Sequence, residues 1–95
     1  MDVSLNQLAG PPKRIGQIRG MPVMSMLTKG GLSIITFNGK AIGAAPHRAL
    51  ARIIAQNAHP DLVIDELSKS EEVDPSLFAH LLPTWTEITN RINEE

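Results

Sequence analysis

Three histidines, His47, His59 and His80, are the first residues to weigh for chemistry, because imidazole changes charge near neutral pH. None stands in an H-x-x-x-H or H-E-x-x-H arrangement, so no helical pair of metal ligands is encoded. His59 and Asp61 flank a proline, and His80 has Ser76 one helical turn before it. No serine sits on the glycine-flanked elbow that exposes a nucleophile. Cysteine is absent, which excludes disulfides, thiolate metal sites and cysteine nucleophiles. The acidic pairs Glu71-Glu72 and Glu94-Glu95 lie in hydrophilic stretches, where solvation is their expected role. Neither catalysis nor a cofactor is expected from these residues.

The cations offer a different chemistry. From Met1 to Arg52 there are seven basic residues against Asp2 alone, a balance of +6. From Ile53 to Glu95 there are nine acids against Lys69 and Arg91, a balance of -7. The formal net charge of -1 conceals this division. Such a division steers a positive face toward nucleic acid or toward an acidic protein. It equally suits two halves that complement each other within one fold or between two copies. Lys13, Arg14 and Arg19 sit in a Gly- and Pro-rich leader, and Arg48 and Arg52 are four residues apart on one helix face. These five are the candidate phosphate contacts.

The elements that must carry these groups fit one small domain of 95 residues. Residues 1–20, broken by Pro11-Pro12 and loosened by glycines, read as a flexible basic arm, and residues 21–95 as a single α+β unit. Met21 to Leu27 alternates as a strand, Val23, Ser25 and Leu27 on one side and Met24 and Met26 on the other. Leu32 to Phe37 is a second strand. Asn38-Gly39 then supplies the two positive-φ residues of a tight hairpin turn before a short return strand, Lys40 to Ile42. A helix opens at Pro46 and ends before Pro60, because the residue preceding proline is pushed out of the α region. A short second helix is expected from Pro60 to Leu67. Asp74-Pro75 opens a third, which either kinks at Pro83 or divides there into two. The fold expected is therefore a small N-terminal antiparallel β-meander followed by three or four helices.

That order of elements, carried by ITFNGKAIGAAPHRALARIIAQNAHPDLVIDELSKSEEVDPSLFAHLLPTWTEITNRI, resembles the winged-helix effector domain of two-component response regulators. The resemblance implies a truncated winged-helix-like fold and a transcription-related, DNA-binding role. Residues 74–93 would then correspond to the recognition helix. Two departures accompany it. The family closes with a β-hairpin wing, for which no residues remain here. Its recognition helix is usually rich in basic side chains, whereas this segment offers Arg91 alone.

A second function class stands beside the first: a non-enzymatic protein-interaction module that modulates a regulator or a larger machine. Its motive is the acidic second half and an apolar stripe, Phe78, Leu81, Trp85, Ile88 and Ile92, suited to a subunit or partner interface. A homodimer through that stripe is expected, with DNA and a regulatory protein as the other candidate partners. No apolar run approaches the roughly 20 residues that span a bilayer. The N-terminus lacks the form of a signal peptide, so a cytoplasmic location without membrane association is expected.

Overall fold

The computed structural model describes residues 10–64, 76 and 79–94. Five strands form one curled antiparallel sheet: β1 (Lys13–Ile18), β2 (Met21–Leu27), β3 (Ser33–Phe37), β4 (Lys40–Ala45) and β5 (Leu62–Ile64). Their order across the sheet is β4-β3-β2-β1-β5. Two helices complete the described residues, α1 (Arg48–Ala58) between β4 and β5, and α2 (Leu82–Glu94) at the end. This overturns the expectation of a short meander followed by three or four helices, and with it the winged-helix-like architecture.

Each difference has a local cause. The arm expected over residues 1–20 enters the sheet at Lys13, as β1. There the register slips between Arg14 and Gly16, so Ile15 is the extra residue of a β-bulge. The bulge turns both Ile15 and Ile18 into the core at a spacing that strict alternation does not recognise. A second slip opposite Ile35 and Thr36 makes Ile42 the extra residue of β4, and Ile42 also enters the core. The segment expected as a short helix after Pro60 is instead β5. Three apolar residues are too few to choose a helix by themselves, and antiparallel pairing with Gly16–Ile18 decides the matter. In α2, Pro83 is the second residue, a position in the first turn where the missing amide is tolerated, so it starts the helix rather than kinking it.

The hairpin turns follow a common plan. Asn38 (φ 54°) and Gly39 (φ 82°) link β3 to β4, as expected for this pair, and Arg19 (φ 52°) with Gly20 (φ 82°) links β1 to β2. Both faces of the sheet are apolar in part. On one, Ile15, Ile18, Val23, Ile35, Ile42 and Leu62 meet Leu50, Ala51, Ile54 and Ala55 of α1. On the other, Ile34, Ala41 and Ala44 form a smaller cluster with Leu32 and Ile92.

Helix α1 lies very close to β4. A side chain at Gly43 would run into the carbonyl oxygen of Ala51 and come within 3.1 Å of the Ala55 amide nitrogen. The absence of a Cβ at Gly43, with alanines 45, 51 and 55 around it, sets that distance.

Candidate interaction surface

The register of the sheet places each cation expected to contact a partner. Lys13 pairs with Ser25 and Arg14 with Met24, which puts both at the end of the sheet where β2 and β4 finish and α1 begins. Arg48 opens α1 at that same end, and Arg52 follows one turn later. Strand β1 lies three strand spacings from β4, about 14 Å at the usual separation. Arg19 occupies the β1–β2 turn at the opposite end. The five cations therefore belong to one body but not to one cluster.

Arg14 and Arg19 each make a specific contact. The Arg14 guanidinium Nε donates to the Gly16 carbonyl at 3.3 Å, across the bulge. Arg19 Nε donates to Asp61 Oδ2 at 3.1 Å, tying the β1–β2 turn to the residue just before β5. The hydrogen bond from Arg19 is the largest influence holding the Asp61 carboxyl below its ordinary range. That pair is open to water, with the side chains 85% and 42% exposed, so it marks where a carboxylate settles more than it anchors the fold.

His47 caps α1: its Nδ1 accepts from the Ala49 amide at 3.3 Å. The His59 ring lies 6.0 Å from that of Phe37 at the other end of the helix. Among the described residues no three His, Cys, Asp or Glu side chains gather closely enough to hold a metal ion. No described helix is long and apolar enough to cross a membrane.

The apolar stripe expected to form an interface is largely turned inward. Leu81 and Trp85 are half-buried against the cluster that contains Leu50 and Ile54, and Ile92 is half-buried against the second cluster. Ile88 is half-buried as well, and Phe78 lies outside the described residues. Between the apolar members run Thr89 and Asn93, whose role the stripe conceals. Thr89 Oγ1 accepts from the Ala44 amide at 3.0 Å and donates to the Trp85 carbonyl at 2.7 Å. Asn93 accepts from the Ala41 amide at 2.8 Å and donates to the Ala41 carbonyl at 2.7 Å. The sequence signal was available: two polar residues four apart, on the same helix side as Trp85 and Ile92, have a helix-facing strand edge as their natural partner.

Helix α2 packs chiefly along β4, and a different set of residues makes up the outer face of β1, β2 and β5. Gln17 pairs with Pro22 on one side and Val63 on the other, and Arg14 pairs with Met24, which pairs with Thr36. Val63 is 53% exposed, Pro22 is exposed, and Met24 and Met26 are half-buried. Sequence reading placed Met24 and Met26 on one face, and the register does the same. No family model, curated protein or solved structure matches the chain.

Proposed function

We propose that this chain is a non-enzymatic interaction module that docks an acidic protein and thereby modulates a regulator or a larger assembly. One observation carries the reading. No Asp or Glu occurs from Val3 to Pro60, a stretch that contains β1 to β4 and all of α1 together with seven Lys and Arg residues. A stretch of the fold with only one sign of charge attracts partners of the other sign.

A second reading uses the same body for DNA, in a transcription-related role, through phosphate contacts from Lys13, Arg14, Arg19, Arg48 and Arg52. The positive charge supports it equally. The spread of these cations over both ends of the sheet supports it less, since a phosphate track is followed by a continuous stripe. Helix α2 carries Glu87 and Glu94 and packs along β4, which also favours a protein partner.

A competition separates the two. Binding of a labelled acidic peptide and of a duplex DNA is measured at about 50 mM and about 200 mM salt, where phosphate contacts weaken steeply. Peptide binding that duplex DNA fails to displace is the expected result. Tight duplex binding with no peptide binding would replace the first reading by the second.

A further inference from the structure

We infer that Asn38 is a site of spontaneous chemical modification, and that its isoaspartate product unlocks β4 from the helices packed on it. The co-reactant is water alone, and the inference holds whichever partner the chain docks.

Asn38-Gly39 is the only Asn-Gly pair in the chain. Both residues are exposed in the β3–β4 turn, and nothing lies within 4 Å of the position a Gly39 side chain would take. The Gly39 nitrogen therefore has open access to the neighbouring carboxamide, without the steric screen that a Cβ imposes. It attacks Cγ of Asn38 and closes a cyclic imide. The side-chain nitrogen leaves as ammonia, with the proton released from the Gly39 amide. Water then opens the ring at one of two carbonyls. Cleavage of the bond from Cγ gives aspartate. Cleavage of the bond from the backbone carbonyl carbon gives isoaspartate, whose chain runs through Cβ and Cγ. Asn93, by contrast, has its carboxamide engaged with both backbone groups of Ala41 and is followed by Glu94. The β1–β2 turn has nearly the same φ values, but Arg19 offers no carboxamide.

The two products differ in what they do to the fold. Asp-Gly suits the same tight turn, so aspartate leaves the backbone path intact. Isoaspartate lengthens the path between Phe37 and Lys40 by a methylene. That turn sets the pairing of Phe37 with Lys40 and of Thr36 with Ala41. Ala41 is the residue that Asn93 grips, Ala44 bonds Thr89, and Gly43 lies against α1. A displacement of β4 at the turn therefore reaches both helices.

The test incubates the full chain in mildly alkaline buffer and follows the tryptic peptide Gly30–Lys40, in which Asn38 is the only carboxamide. The expected result is the mass gain of an amide converted to an acid, with isoaspartate identified by its fragmentation. The isoaspartate form, separated from the aspartate form by chromatography, should lose amide protection at Ala41 and Ala44 and shift Trp85 emission to longer wavelength. Asn38→Asp should keep wild-type protection and emission, as should Asn38→Gly after the same incubation. No mass gain in the folded chain, where the urea-unfolded chain gains it, would overturn the site. An isoaspartate form with wild-type protection and emission would overturn the unlocking. So would an equal shift in Asn38→Asp, which would assign the effect to charge, or in Asn38→Gly, which would assign it to other residues.

Discussion

The Asn93 carboxamide grips Ala41 at both of its backbone groups, accepting from the amide at 2.8 Å and donating to the carbonyl at 2.7 Å. A neighbouring antiparallel strand would make the same pair of bonds. One turn earlier on α2, Thr89 takes the Ala44 amide. Side chains of a helix thus stand in for a sixth strand, and the β4 edge is closed to pairing with other chains. The Ala- and Gly-rich sequence of β4, KAIGAA, has little side-chain bulk of its own to block such pairing.

Replacing these two residues should open that edge. Thr89→Val keeps the shape but removes the acceptor for a buried amide, at a cost of about 1–3 kcal/mol. Asn93→Leu loses two hydrogen bonds at a more exposed position, about 1 kcal/mol each. Denaturant midpoints should fall in that order of magnitude for both. The double variant should also self-associate at concentrations where the wild type does not, as seen by sedimentation. A double variant as stable and as dispersed as the wild type would mean that α2 is dispensable to the edge.

Two glycines should differ in how far their damage spreads. An alanine at Gly43 would drive a methyl into the backbone of α1, which cannot move without lifting the helix off the main core. Overpacking of that kind costs about 1–3 kcal/mol and should lower the stability of the whole domain. At Gly16 the obstacle is the Val63 carbonyl oxygen, on a strand of three residues at the sheet margin. Gly16→Ala should therefore release β5 first. Hydrogen exchange would report it, with protection lost at Leu62–Ile64 and kept in β3 and α1.

How much of this was legible depended on whether a residue's partner was local. The strands around Asn38-Gly39 were readable because alternation and turn chemistry both act within a few residues, and β2 and β3 lie within a residue of their expected limits. Strand β1 was not readable, because its bulge at Ile15 spoils the alternation and its charges and glycines resemble a leader. The Arg19-Gly20 turn was hidden in the same way, arginine being an uncommon residue at positive φ. Strand β5 is settled by pairing with residues 44 to 48 positions earlier, which no local pattern encodes. The charge division was plain from composition. That Arg14 stands across from Met24 required the register.

The Arg19–Asp61 pair gives the fold a small acid-sensitive contact. The folded-state value of the Asp61 carboxyl lies below its ordinary position, so ionised Asp61 favours the folded chain. That contribution is complete above the unfolded value, about 3.9, and is lost as pH falls through the lower folded value. Carbon-13 titration should place the Asp61 carboxyl below the ordinary value in the wild type and near it in Arg19→Gln. Because both side chains are exposed, added salt should narrow the difference. An ordinary value in the wild type would mean that the ion pair does not persist in solution.

Trp85 is the only tryptophan, and its placement makes it both a structural residue and a reporter. Its ring is half-buried against the main core, and its carbonyl accepts the Thr89 hydroxyl at 2.7 Å, so core contact and edge closure meet at one residue. Full burial of a tryptophan makes truncation to alanine cost about 3–5 kcal/mol, and half-burial brings the expectation to about 2 kcal/mol. Trp85→Ala should therefore lower the denaturant midpoint without changing the sedimentation mass. If the ring instead served mainly as a subunit contact, the substitution would halve the mass and leave a folded monomer of nearly wild-type stability. The wild-type emission gives an independent check. Thr89→Val should shift it to longer wavelength before global unfolding, because loss of the Ala44 bond frees α2 to tilt away from β4 and admits water to the indole. An unshifted emission in that variant would show that the core contact alone holds α2 in place.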